Sequence, residues 1–409
     1  MIPLPQTWTS AQRARFAPLM ALMDTDGLIN AFPVVHVSGT NGKGSLCAAI
    51  SQICREANLK TGLFISPHLY VETERICVNG EQIDQLSMNR LMDEAFAKAP
   101  EAKLFENYFY AAVRWFEEQQ VDIAVMETGI GGTMDATNLL QSVLTVTGTI
   151  GLDHQDTLGH TIGQIAAQKA GIAKPGVPAV LSPCADEVAR QTYLDTCRAL
   201  GAQVHDLSAA KIECVSQGLT QCLSGEMDGF TLPPTQIALL GDFQGNNLFT
   251  AAYVAHLLAE QGFPVTPEAI CRGLENTRWP GRLEWRAGTP PLLIDGAHNR
   301  EGAQALVRAV NSLAPGRPIV LVTAMLGDKN IEDVAAELRP MAEQIVTTQV
   351  DSFRALEAQA LADIYGEKAL ACADPVQALA LARRLCPENG LIVAAGSLYL
   401  PAALELNKA

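Results

Sequence analysis

The chain has 409 residues, a formal net charge of −15 and 48% hydrophobic residues. That length exceeds one ordinary core and predicts two or three domains. The acidic balance excludes a general nucleic-acid binder, which needs a basic face, and no apolar run reaches the roughly 18 residues that span a bilayer.

Residues 1–8 lack the basic patch and apolar stretch of a signal peptide, so a soluble cytoplasmic protein is expected. The first element is a short apolar strand at 34–38, which runs into Gly39-Thr40-Asn41-Gly42-Lys43-Gly44-Ser45 and a helix over 46–56. Glycines let backbone N–H groups turn toward a phosphate, and the helix start adds partial positive charge. The lysine can reach outer phosphates and the hydroxyl can face magnesium. The spacing is not that of the standard phosphate loop: two residues separate Gly39 from Gly42, and Gly44 stands between Lys43 and Ser45.

A strand at 62–65 leads to Ser66-Pro67-His68, which reads equally as a Ser-Pro turn or as a hydroxyl offered to a metal. Asn79-Gly80 between apolar residues predicts a hairpin over 76–83. Helices are expected at 84–98 and 108–119. A strand at 122–127 then ends in Glu127, followed by the glycine-rich run Thr128 to Asn138. Ionised carboxylates are rarely buried without a partner, so Glu127 is a candidate magnesium ligand, magnesium preferring oxygen donors. A carboxylate that only caps the loop's N–H groups is the structural alternative.

The strand at 143–150 leads to Gly151-Leu152-Asp153-His154-Gln155-Asp156, and two aspartates beside a histidine after a strand favour metal or nucleotide contact. Lys169 falls among small and apolar residues in a helix over 162–173. Its stem packs while the amine reaches solvent, unless its charge is altered. A strand at 177–181, a helix at 186–200, a strand at 236–240 and a helix at 246–261 follow, the last opening near Asn246-Asn247. Pro280-Gly281-Arg282 precedes a turn-rich segment at 286–291, and arginine's fork of donors suits phosphate oxygens.

A second α/β series then begins. Its strands are expected at 292–295, 319–323, 344–348 and 391–394, with helices at 300–312, 331–339, 354–364 and 376–385. Asp295-Gly296-Ala297-His298-Asn299 closes its first strand. The alternation indicates an α/β protein with largely parallel sheets: a domain over 1–287 and a smaller one over 288–409. Ten cysteines without a Cys-x-x-Cys spacing fit reduced, mostly buried thiols.

Each candidate residue follows a strand end, and ligands of open parallel sheets gather beyond those ends. In order, Gly-Thr-Asn-Gly-Lys-Gly-Ser, Ser-Pro-His, Glu-x-Gly-x-Gly-Gly, Gly-x-Asp-His, Lys-Ala-Gly-Ile, Pro-Gly-Arg and Asp-x-Ala-His-Asn resemble the folylpolyglutamate synthase and dihydrofolate synthase family, within the wider group of Mur ligases. The C-terminal Ala395-Gly396-Ser397-Leu398-Tyr399 also fits. The resemblance implies a P-loop NTPase-like parallel-sheet domain with helices on both faces and a Rossmann-like C-terminal glutamate-ligase domain.

The resemblance also implies ATP bound by Thr40, Asn41, Gly42, Lys43, Gly44, Ser45, Asn247, Arg282 and Asp295. Magnesium, as two ions, would be held by Ser66, Glu127, His154 and Lys169, the lysine carbamylated by carbon dioxide. Lys43, Lys169, His154 and His298 would be catalytic. The pteridine would lie near Phe105-Glu106 and Met134-Asp135-Ala136. The implied reaction activates a folate or dihydropteroate carboxylate as an acyl phosphate and joins it to L-glutamate, with the two domains closing over the nucleotide and the chain a monomer. One departure bears on substrate preference: Thr133 stands where the family usually has arginine. A Mur-type ligase acting on a UDP-muramyl substrate and a non-catalytic nucleotide-binding regulator are the rival readings.

Overall fold

The computed structural model describes residues 10–327 and 330–405, with side chains from Ala14 onward; residues 1–8, read above for a signal peptide, lie outside them. The chain forms two compact units. One contains the chain up to Cys214, Cys222–Ile237 and Gln244–Thr277; the other contains Val215–Gln221, Ala238–Phe243 and the chain from Arg278 onward.

In chain order the first elements are α1 (Ser10–Thr25), β1 (Val34–Ser38), α2 (Lys43–Glu56), β2 (Thr61–Phe64), β3 (Ile76–Val78), β4 (Glu81–Gln82), α3 (Gln85–Lys98), α4 (Leu104–Glu118), β5 (Ile123–Glu127), β6 (Leu144–Thr147), α5 (Gln155–Leu158), α6 (Ile162–Ala170), β7 (Pro178–Leu181), α7 (Glu187–Ala199) and β8 (Gln203–Asp206). They build an eight-stranded sheet in the order β4-β3-β2-β5-β1-β6-β7-β8. From β2 through β8 the neighbours are parallel, and the β3–β4 hairpin adds an antiparallel edge. β1 and β5 are buried at every residue, as befits strands covered on both faces. Their continuous apolar runs made them legible.

Phe64, Phe109 and Phe116 anchor the core beside β2, with Phe116 edge-on to Phe32 at 6.0 Å between ring centres. The strands β9 (Lys211–Gln217), β10 (Thr220–Met227) and β11 (Phe230–Ile237) form a separate three-stranded sheet. Asp228 and Gly229 both take positive φ at its two-residue turn, as a type I′ hairpin requires. The expected strand at 236–240 is therefore only the end of β11. β9 carries no fully buried residue, so it has no apolar run to mark it. α8 (Phe243–Glu260) and α9 (Pro267–Asn276) follow, with α9 packed on α2.

The second unit contains β12 (Glu284–Arg286), β13 (Leu292–Ile294), α10 (Arg300–Leu313), β14 (Ile319–Thr323), α11 (Ile331–Leu338), β15 (Gln344–Thr347), α12 (Ala358–Tyr365), β16 (Ala369–Ala371), α13 (Pro375–Leu385), β17 (Leu391–Ala395) and α14 (Leu400–Ala403). Its sheet order is β12-β13-β17-β14-β15-β16, parallel except for β12. α12 starts later than the expected 354–364. The preceding stretch is held instead by Gly327 N–H donating to Arg354 O at 2.7 Å. Among the described residues no helix is long and apolar enough to cross a membrane, and the ten cysteines are free thiols.

Truncating Phe116 to alanine leaves a cavity against Phe32 and β2. The expected loss is roughly 3–5 kcal/mol, read as a lower urea midpoint with an unchanged slope.

Candidate active site

The carboxyl ends of the parallel strands assemble the first candidate cluster. Val37 pairs with Glu127, and Ser38 with Thr147, so the ends of β5, β1 and β6 lie level. The chain passes from β5 to β6 across β1, which makes β1 the switch point at which such sheets leave a crevice. The glycine-rich loop leaves β1 at that place. Gly42 has φ 79°, and a Cβ there would stand 2.6 Å from Asn247 Oδ1, so both backbone and space demand glycine. Thr40 N–H donates to Thr149 O at 2.7 Å, and Thr40 Oγ1 donates to Gly151 O and accepts from Gly151 N–H. Gln244 donates to Ser45 Oγ and accepts from Asn247 Nδ2. Asn247 Oδ1 is buried with no partner among the described residues, an acceptor aimed at the loop that suits a donor brought by a ligand.

Two amines meet at this loop. Lys43 Nζ donates to Gly39 O at 3.1 Å and to Thr40 O at 3.3 Å, and Lys169 Nζ donates to the same Gly39 O at 2.7 Å. Lys169 is only 3% exposed. Burial, reinforced by the charge of Lys43 and opposed by Asp153, pulls its amine down to about 7. A neutral amine near pH 7 is a nucleophile, whereas an ammonium is not. The stem does not carry the amine to solvent.

Glu127, 4% exposed, accepts from Ser66 N–H at 3.1 Å. Ser66 Oγ accepts from Arg75, whose Nε donates to His68 Nδ1 at 2.9 Å. The Arg75 guanidinium lies 4.7 Å from the Tyr108 ring centre, a cation–π distance. Burial and Arg75 lower the His68 pKa, which favours the neutral acceptor that Arg75 needs. Glu74 fixes the turn by accepting from the N–H groups of Leu69, Tyr70 and Val71. The sequence pattern gives no signal for Arg75, which reads there as one more charge in Glu72-Thr73-Glu74-Arg75.

His154 takes a left-handed φ of 50°, donates its N–H to Asp153 and has a side chain 40% exposed. Among the described residues no three His, Cys, Asp or Glu side chains form a metal-holding group. The expected set thus contributes the paired Ser66 and Glu127, with the Lys169 amine on the phosphate loop.

The expected pteridine residues divide in two. Phe105 and Met134 are partly buried against the core, and Ala136 lies inside it. Glu106 and Asp135 have carboxylates already engaged. Glu106 accepts from Lys103 N–H at 3.0 Å and pairs with Arg15 at 2.7 Å. Asp135 accepts from the N–H groups of Gly129, Ile130 and Thr137 and from Thr137 Oγ1. Thr137 Oγ1 then takes His36 Nε2 at 2.7 Å, and burial holds His36 neutral, down at about 3. Asp135 therefore shapes the loop that leaves Glu127.

In the second unit Asp295 follows β13. Its carboxylate accepts from Leu283 N–H at 2.9 Å and Ala297 N–H at 2.8 Å. Burial raises its pKa, opposed by Arg282 and these N–H groups. Gly296 N–H donates to Gly281 O, which brings the Arg282 turn to this strand end. His298 Nδ1 stands 2.8 Å from Gly296 O, which assigns the proton to Nδ1.

The chain is similar to the folylpolyglutamate synthase of Lacticaseibacillus casei, 32% identical over 395 residues that cover 91% of this chain and 89% of that protein. It is likewise similar to the dihydrofolate synthase/folylpolyglutamate synthase of Bacillus subtilis, 32% identical over 405 residues, 94% of this chain and 92% of that one. The chain belongs to the folylpolyglutamate synthase/dihydrofolate synthase family. A solved folylpolyglutamate synthase of Mycobacterium tuberculosis, complexed with ADP, superposes with a TM-score of 0.88 at 28% identity, covering 98% of this chain and 96% of that chain. Residues 281–398 match the family model of the Mur ligase glutamate ligase domain. The expected family and two-domain α/β architecture thus stand.

The buried amine has a measurable linkage. From about pH 7, where Lys169 titrates in the fold, to its ordinary value of 10.5, the unfolded chain holds a proton that the folded chain lacks. Stability therefore rises with pH across that interval. Lys169→Met removes this contribution, so denaturation profiles of the variant are expected to be flatter there than those of the unaltered chain. An equal slope would contradict the burial of the amine.

Proposed function

We propose that this chain is an ATP-dependent ligase that joins the amine of L-glutamate to a carboxylate of a folate or of dihydropteroate, releasing ADP and phosphate. The observation that carries this reading is the convergence of the Lys43 and Lys169 amines on Gly39 O. The names of the full-length relatives support it. They also disfavour a UDP-muramyl substrate, since relatives matched over about nine-tenths of this chain are named folylpolyglutamate and dihydrofolate synthases.

In the proposed reaction a substrate carboxylate oxygen bonds to the γ-phosphorus while the bond to the bridging oxygen of ADP breaks. The glutamate amine then attacks the acyl carbon and phosphate leaves. Carboxylate and triphosphate repel each other, so the chain must supply positive charge and position, which dominate phosphoryl transfer. Lys43 does so by swinging from the loop carbonyls to the outer phosphates. The loop N–H groups and Asn247 orient the nucleotide, and Thr40, Asn41, Gly44 and Ser45 complete that cradle.

Magnesium fits the buried carboxylate of Glu127 and the half-buried hydroxyl of Ser66, both oxygen donors; His154 and a carbamylated Lys169 would complete the ligand set. When bound, the metal offsets phosphate charge. Carbamylation fits the Lys169 amine: burial pulls it down to about 7, so a large share is neutral near pH 7, and that neutral amine forms an N–C bond with carbon dioxide and loses a proton to become an anion. Phe105 and Met134 supply apolar surface for the pteridine, with Ala136 in the core beside them and Glu106 and Asp135 fixing the local backbone. Arg282 and Asp295 as nucleotide contacts, His298 as a catalytic group, and a monomeric cytoplasmic protein belong to the same reading.

Lys43→Ala is expected to lower glutamate-dependent ADP release by about 10²–10³ with the fold intact by circular dichroism. Near-normal turnover would sink the phosphate role. Dihydropteroate, tetrahydrofolate and a UDP-muramyl acceptor, each with and without L-glutamate, separate the substrate classes. Native mass spectrometry in bicarbonate is expected to find one added carbon dioxide, lost in Lys169→Met. Its occupancy falls as pH drops below about 7, because the amine becomes an unreactive ammonium. A mass unaffected by the substitution would refute carbamylation there.

A further inference from the structure

We infer that Thr133 is a positioning residue for Lys169, acting through a clamp between the glycine-rich loop after Glu127 and the last turn of α6. The inference rests on the proposed ligase reading only in giving Lys169 a chemical role.

The last carbonyls of a helix have no partner within it, and many helices satisfy them by curling into a left-handed glycine. α6 does not, because Gly171 follows it with φ −64°. Its terminal carbonyls are met largely from outside. Gln168 O accepts both Thr133 N–H at 2.8 Å and Thr133 Oγ1 at 3.0 Å. Lys169 O accepts Ser38 Oγ at 3.3 Å, and Gly171 O accepts Asn138 Nδ2 at 3.0 Å. Only Ala170 O is met locally, by Ala173 N–H at 3.0 Å.

The contact leaves no slack. A Cβ at Gly171 would collide with Thr133 Oγ1 and stand 3.0 Å from Thr133 Cα. Asn138 is fixed from its other side, since its backbone and side-chain oxygens accept Lys174 Nζ at 2.9 and 2.6 Å. The carbonyls of Gln168, Lys169 and Gly171 are thus tied to β1 and to the Glu127 loop. The lysine stem is flexible, so the 2.7 Å reach of its amine to Gly39 O depends on where this turn is held. Thr133 supplies two of the bonds from one residue. It also occupies the position where the family pattern has arginine, whose side chain lacks a short hydroxyl.

The test uses the full chain without nucleotide. A pulse of an amine-acetylating ester followed by peptide mass spectrometry reads the access of each lysine. Thr133→Val keeps shape and N–H but loses the hydroxyl; it is expected to speed acetylation of Lys169 about fivefold, the effect of one net hydrogen bond. Lys60, partly buried just before β2 and outside the clamp, serves as the reference and should stay within about twofold, and Thr133→Ser should return Lys169 to within about twofold of the unaltered chain. In turnover, Thr133→Val should lower kcat about fivefold while KM for ATP holds.

An unchanged Lys169 rate in the valine variant, or equal increases at Lys169 and Lys60, would overturn the inference. Should that variant not fold, hydrogen exchange of the unaltered chain decides: the Thr133 and Ala173 amides should open together, within about threefold, and a difference of more than about tenfold would overturn it. Absence of ADP release by the unaltered chain would remove the ligase reading and leave the labelling result standing.

Discussion

The organising constraint is one carbonyl that accepts from two lysines. Both amines donate to Gly39 O, and burial together with the charge of Lys43 pulls the Lys169 amine down to about 7, which eases their mutual repulsion. The two lysines therefore differ in kind despite their common chemistry. Lys43 is partly exposed at the start of α2, and Lys169 is a concealed amine of depressed basicity. The glycine-rich loop after β1 thus carries two unlike amines.

Much of the surrounding polar structure keeps this arrangement in register. The loop after Glu127 is gathered by Asp135, which takes three backbone N–H groups and the Thr137 hydroxyl. The turn after β2 is gathered by Glu74 in the same way, and Arg75 ties its hydroxyl and imidazole together. Carboxylates placed in this way act on backbone, in line with the strength of hydrogen bonds to charged groups. Glu127 itself spends one oxygen on Ser66 N–H, which couples two strand ends.

The parts of the fold legible in sequence were those whose signal is local. The glycines and lysine of residues 39–44 act within one turn, and β1, β5 and β14 announce themselves as unbroken apolar runs. Pairings between residues far apart along the chain were not legible. His36 meets Thr137 across 101 positions, and Lys169 meets Gly39 across 130. Arg75 gains meaning only when β3 lies beside β2. Glu106 illustrates the converse: placed beside Phe105 it reads as a substrate contact, yet its carboxylate is spent on Lys103 N–H and Arg15. The β9–β11 sheet escaped notice because β9 has no fully buried residue and the buried positions of β10 and β11 are separated by partly or fully exposed ones, leaving no apolar run.

The hairpin at one margin of the large sheet has a further consequence. β4 is two residues long, Glu81 and Gln82, and both are exposed. A margin that ends in so short and polar a strand presents no row of free amides for another polypeptide to zip onto. The eight-stranded platform is thereby shielded on that side from edge-to-edge aggregation, a hazard that extended sheets otherwise carry during synthesis and at high concentration.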